Sequence, residues 1–375
     1  MFNEYVLVLV WLCFMMLILA GSKRVYRIEY VCGHWQRRVN FVMAFLVMFP
    51  IIWMAMNRSQ YIGDTYMYQM GYLGMPNSVL EIPSYIAGVP KDQGFYFLSA
   101  ILKVIFGSDY RMYFFVIALF QGLAVAALFR KYSSNYIFAI FLFIVSTDYI
   151  SWMFNGIRQF MAVCIAILAT PFLLEETHKP LTRKYLPAIV IILLASTMHQ
   201  SALLMIPFVI IAQGKAWNRK TLFFIFAALL AVLFVDMFTN VLDDALSTTQ
   251  YVNVVSDFKN SNDDGTNPIR VLVYSIPAIL SFMGRRKIQK QDNVIINFCT
   301  NMSIISMGLY VVSMVTSGIF IGRLPIYCSL YGYILLPWEI ENLIARDSKR
   351  TAYLGVVMLY LVYYYYQMHF VFGLI

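Results

Sequence analysis

Apolar runs close to 18–20 residues long recur along almost the whole chain, and no other feature limits its fold so tightly. A helix needs about 20 apolar residues to cross the hydrocarbon core of a bilayer. A membrane β-barrel would instead show alternating segments of about 10 residues. Of the 375 residues, 61% are hydrophobic and 13% charged, against about 25% charged in a soluble domain. The sequence therefore predicts an all-α, polytopic helical membrane protein forming a single transmembrane domain over 1–375. The opening "MFNEYVLVLVWLCFMML" has no basic stretch before its apolar run and reads as a first span rather than a cleaved signal. The five cysteines are scattered, with no CxxC and no Cys/His pair at metal spacing, and read as small core residues.

The net charge of +9 is a topology signal, not a nucleic-acid footprint. Twenty of the 28 Lys and Arg fall in six short clusters: "SKRVYR" with "QRR", "RK" at 130, "HKPLTRK", "GKAWNRK", "GRRKIQK" and "RDSKR". Basic loops between spans mark the cytoplasmic side. Spans are expected near 5–20, 39–56, 109–129, 134–150, 155–174, 220–237, 268–283, 293–318, 324–341 and 352–372. Two stretches are ambiguous. "GFYFLSAILKVIFG" (94–107) is short for a crossing, and 185–213 is long for one helix and is broken by "STMHQS". All six clusters fall inside if 94–107 is a short re-entrant or surface helix and 185–213 a broken short-helix hairpin near His199. That arrangement predicts about 12 crossings (11–13), both termini outside, and two large outer loops, 57–93 and 238–267.

Removing the inside charges leaves Arg58, Lys91, Lys103, Arg111, Arg158, Lys259, Arg270 and Arg323. Three of these sit at expected helix starts: Arg158 after "NG", Arg270 in "NPIR", and Arg323 in "GRLP". A helix N-terminus is already electropositive, so arginine there is unfavourable by itself. Three of them facing one region make sense if a phosphate binds between them; snorkelling to lipid headgroups is the other reading. His199, at the helix break, is an ionisable residue at membrane depth and a candidate general base. Hydroxyls at Ser196, Thr197 or Ser201 could equally satisfy it as a structural histidine. "YIGDTYMYQMGY" places Asp64, a second candidate base, beside Tyr66, Tyr68 and Tyr72, whose rings suit a sugar or a membrane interface. No P-loop, GxSxG or HExxH is present.

At these residues the sequence resembles the Wzy-type polysaccharide polymerases, most closely the EpsG-like branch. The pieces are "GDTYMYQMGY", "QGFYFLSAILK", "NGIRQFMAVCIAI", "STMHQSALLMIPF" and "GRLPIYCSLY", in the family's order between residues 62 and 332. Gln93 stands where the family pattern has a glutamate, with Asp92 the adjacent carboxylate. The resemblance implies a metal-independent, inverting glycosyltransferase without cofactor, a multi-pass protein of the bacterial inner membrane working at its outer face. Its substrate would be undecaprenyl-pyrophosphate-linked oligosaccharide, polymerised into capsule, exopolysaccharide or O-antigen. On that scheme Arg158, Arg270 and Arg323 grip pyrophosphate, His199 or Asp64 is the base, and Gln159, Tyr66, Tyr68, Tyr72 and Tyr327 hold glycan. The implied partners are the lipid bilayer, a flippase and a chain-length regulator, with no nucleic acid. A lipid-linked glycan transporter or flippase, a glycan ligase and an O-acyltransferase are the rival readings.

Overall fold

The computed structural model describes residues 3–175, 180–246 and 265–375. Most of them are helical, and four helices are long and apolar enough to cross a membrane: Glu4–Gly21, Tyr110–Tyr132, Ile157–Leu174 and Val294–Met314. Two bent pairs, Tyr136–Val145 with Tyr149–Asn155 and Arg219–Leu233 with Val235–Asp244, raise that to six if each is one span. Phe41–Asn57, Gln93–Phe106, Gln200–Ala212 and Pro268–Met283 are apolar but shorter. Helical membrane architecture is thus established for four to six spans by length and composition. The expected crossings at 134–150 and 220–237 are broken rather than straight, by 75° and 104°. The chain divides into two compact units, residues 1–203 with 344–375, and residues 204–343.

In the first unit, the basic clusters gather at one end. The 22–39 segment, expected as an inner loop, contains a two-stranded antiparallel hairpin, Tyr26–Val31 paired with His34–Val39. Its turn puts Cys32 (φ 48) and Gly33 (φ 87) both in the left-handed region, which is the twist a two-residue hairpin turn requires. Glu29 of the first strand accepts two hydrogen bonds from Arg130, at 2.8 and 2.5 Å, so "RK" at 130 docks on the hairpin. Lys131 pairs with Glu175, at the far end of Ile157–Leu174, at 2.6 Å. Helix 157–174 therefore runs from Arg158 to the basic end, roughly 27 Å away at 1.5 Å per residue.

Helix Phe41–Asn57 starts at the basic end, where Asn40 caps it and its N–H reaches Val25. It finishes at Arg58, whose buried guanidinium donates to Thr65 Oγ1 (3.0 Å) and to the carbonyls of Ala55 and Met153, beneath the Phe114 ring at 3.9 Å. Gln93–Phe106 keeps both ends away from the basic end. Asp92 meets Arg158, and Ser99 meets Tyr113 in the first turn of 110–132. The termini lie side by side: Asn3 donates to the Leu374 carbonyl, and the Tyr364 hydroxyl to the Tyr5 carbonyl.

The corner between Tyr136–Val145 and Tyr149–Asn155 is fully buried. Ser146, Thr147 and Asp148 are each at most 1% exposed, and Thr147 has φ 61. The Thr147 hydroxyl donates to the Ser146 carbonyl at 2.6 Å. Beyond it the chain winds as a π-helix to Asn155.

The second unit is built on Val294–Met314, whose Asn297, Thr300, Asn301, Ser303 and Ser306 are all buried. Asn297 and Asn301 accept the main-chain N–H groups of Ala216 and Trp217, at 3.1 and 3.0 Å. Asn301 also donates to the carbonyls of Ala212 and Lys215. The "GKAWNRK" turn is thus satisfied by the helix beneath it, as buried main-chain polar groups must be. Of the expected outer loop 238–267, residues 247–264 lie outside the described ones.

Two expectations follow. Asn301→Ala removes three buried hydrogen bonds and should destabilise detergent-solubilised protein by about 3 kcal/mol, read as a fall in thermal midpoint. With the basic end cytoplasmic, a membrane-impermeant maleimide added to intact cells should label Asn77→Cys and not His34→Cys on the hairpin; the reverse pattern would invert the topology.

Candidate active site

The motifs carrying the family resemblance in the first unit are pressed together by two glycines. A Cβ on Gly63 (φ 49) would lie 2.5 Å from Asn155 Cγ. One on Gly94 would lie 2.8 Å from Thr197 Cβ and 3.0 Å from its carbonyl carbon. So "GDTY" closes on "NGIR", and "KDQGF" on "STMHQ". Asn155 is not the helix cap that its place before glycine suggests. Gly156 holds the cap position without a side-chain bond, while Asn155 Oδ1 accepts the Asp64 N–H at 2.9 Å. The asparagine joins the first loop to the head of the 157–174 helix.

Arg158 stands at the centre of this junction. Its Nη1 donates to Asp92 Oδ2 at 2.8 Å, with the carboxylate 2% and the guanidinium 26% exposed. The Tyr68 hydroxyl lies close enough to favour the charged guanidinium, and the Tyr96 ring lies 5.9 Å from its centre. Burial lifts the Asp92 carboxyl above the ordinary range, opposed by Arg158, Lys91 and the Gln200 main chain. Asp92 itself has left-handed backbone (φ 56) at the cap of Gln93–Phe106. It was legible only as the carboxylate next to Gln93; its pairing with Arg158 needed the fold. The arginine thus points one donor at a buried anion and keeps part of its surface open, an arrangement suited to sharing a second, incoming anion.

Beside it, Gln159 Nε2 reaches Ser201 Oγ at 3.5 Å, and Ser201 Oγ is 2.7 Å from His199 Nδ1. His199 has extended backbone between helix Leu181–Met198 and the 200–204 turn, as the broken pattern predicted. The first arm, at 18 residues, is longer than expected. The contact from the Ser201 N–H to Nδ1 is long at 3.4 Å, so it fixes no tautomer. With Nδ1 donating to Ser201, Nε2 carries the lone pair a base needs.

The remaining candidates separate. Asp64 is exposed, at the cap of Thr65–Leu73 with no cap bond from its side chain. Tyr66 is 51% exposed and Tyr68 half-buried. Tyr72 is fully buried, stacked on Tyr113 at 4.4 Å with its hydroxyl on the Leu102 carbonyl; it is core and offers no face to a glycan. Arg270, Arg323 and Tyr327 belong to the second unit. Arg270 is in the first turn of Pro268–Met283, capped by Asn267, with its guanidinium 5.5 Å from the Tyr274 ring centre. Arg323 is exposed on a 3-10 turn (321–323), short of the helix that starts at Ile326. Thr266 binds Ser313 and abuts Gly322, which draws the Arg270 and Arg323 segments to one place. Tyr327 is fully buried. Among the described residues no group of three or more His, Cys, Asp or Glu could hold a metal ion.

With four to six helices long and apolar enough to cross a bilayer, this is a polytopic helical membrane protein. The chain belongs to the EpsG family, which it matches over residues 41–373. No curated protein and no solved structure is significantly similar to it.

The glycine contacts make a direct test. Gly63→Ala and Gly94→Ala should each destabilise the protein by about 1–3 kcal/mol. Gly71→Ala, in the same loop but with nothing within 4 Å of its Cβ, should leave the thermal midpoint unchanged or raise it.

Proposed function

We propose that the chain is a polysaccharide polymerase, joining undecaprenyl-pyrophosphate-linked repeat units at the outer face of the bacterial cytoplasmic membrane. The observation that carries this reading is Arg158, held by Asp92 at the head of its span and next in sequence to the Gln159–Ser201–His199 chain. In the reaction an acceptor-sugar hydroxyl attacks the anomeric carbon of the lipid-linked donor. The new glycosidic C–O bond forms as the bond to pyrophosphate breaks, with inversion at that carbon. The departing lipid pyrophosphate takes the bonding electrons. Arg158 stabilises that charge where it develops. His199 takes the hydroxyl proton, with Ser201 fixing its ring. Asp92 acts on Arg158 rather than on the sugar. It fixes the guanidinium before substrate arrives and lowers the ordering cost on binding. Asp64 and Tyr66, exposed on the loop clamped by Asn155, line the approach of the acceptor glycan. The scheme calls for no metal or cofactor.

The test is a gel ladder of surface glycan from wild type, a null strain, and Arg158→Ala and His199→Ala at matched protein level. The null and Arg158→Ala should display single repeats at the surface with no ladder. His199→Ala should lose at least about 100-fold in chain yield. Asp64→Ala should retain chains, because His199 is the base. Repeats trapped inside the null would indicate a flippase, and long chains persisting in it would overturn the polymerase reading.

A further inference from the structure

At the opposite end of the first unit from Arg158, the basic hairpin encloses a cavity of about 240 Å³. Its walls include Arg37, Arg38 and Arg130 and the segment Ser133, Ser134, Asn135. Arg27, directly across the hairpin from Arg38, acts on Arg130 as a like charge. Three guanidiniums therefore line the cavity, with a fourth arginine on the neighbouring strand. Among the described residues, Glu29 is the carboxylate paired with these arginines, spent on Arg130 through both oxygens; Glu175 is engaged by Lys131 and the Tyr132 hydroxyl.

Two of these arginines are buried. Arg38 is 5% and Arg130 2% exposed, and the Nε of each is buried with no hydrogen-bond partner. Arg38 otherwise donates to the Ser133 carbonyl and to the Gln36 side chain, both neutral acceptors. Burial and its neighbour Arg130 hold the Arg38 guanidinium down to about 10. Uncompensated buried charge is costly, and like charges facing across a strand pair add to the cost. The cavity also receives the N-terminus of the ten-residue helix Tyr136–Val145. Asn135 Oδ1 satisfies the Phe138 N–H; the dipole and the rest of the first turn remain to attract an anion.

We propose that this cavity binds a phosphate-bearing anion, either the headgroup of an anionic phospholipid or a free phosphate. The site is independent of the glycan chemistry. Its basic loops place it on the cytoplasmic side by the positive-inside rule, where basic pockets between helices take lipid headgroups. An occupant would neutralise the surplus guanidinium charge and tie the hairpin to the starts and ends of the spans around it.

The test uses the full chain in nanodiscs of phosphatidylcholine alone or with phosphatidylglycerol, read by thermal unfolding with and without inorganic phosphate. Potassium chloride at equal ionic strength is the control. A ligand that binds the folded state raises the midpoint with its concentration. A rise with phosphate in phosphatidylcholine discs identifies a free anion; a rise only with phosphatidylglycerol identifies the headgroup. In either case Arg37→Gln, an exposed position where folding is safe, should weaken the effect about tenfold. Arg38→Gln, if it folds, should abolish it. No rise with either probe, an equal rise with chloride, or a rise unchanged in Arg37→Gln would overturn the proposal.

Discussion

Irregular backbone packed inside a protein must have its polar groups satisfied by the protein itself, and the architecture here turns on how that is done. The breaks are closed by side chains reaching from another segment. Asn155 takes the N–H of Asp64, Asn297 and Asn301 take the N–H groups of the 216–217 turn, and the Ser313 hydroxyl donates to Thr266 Oγ1 while its carbonyl accepts the Thr266 N–H. Such bonds require close approach, and glycine supplies it at 63, 94 and 322. The functional motifs meet because the same contacts that satisfy the backbone bring them together.

This explains what the sequence disclosed and what it withheld. The apolar runs marked the helices because lipid imposes a hydropathy rule on each one separately. The break at His199 was readable because polar residues interrupt an apolar run there. The bend at 146–148 was not, since Ser, Thr and Asp lie in a run that stays apolar on both sides and the corner is made by a threonine in an unusual backbone basin. The hairpin at 26–39 was hidden because its arginines read as a topology signal. Its alternating Tyr26, Ile28 and Tyr30 are the strand pattern that this signal masked.

At the site, Arg158 could be singled out by charge alone, but its partner could not. Asp92 lies 66 residues away and follows a lysine that disguises it as a surface dipeptide. Tyr72 and Tyr327 show the opposite failure. Tyrosine in a motif suggests a ligand, yet each packs in a core, and only the side-chain environment distinguishes a ring that stacks on Tyr113 from one left open to a sugar.

The corner at Thr147 has a consequence for how the protein works. A β-branched residue with positive φ is a rare conformation for an L-amino acid, and here it is sealed on every side and hydrogen-bonded to its own neighbour. Glycine in that position would make a hinge; threonine makes a weld. The turn that leads through Tyr149–Asn155 to Arg158 thus has a single setting. The head of the helix that carries Arg158 is therefore set on a corner with no slack of its own, a foundation rather than a joint.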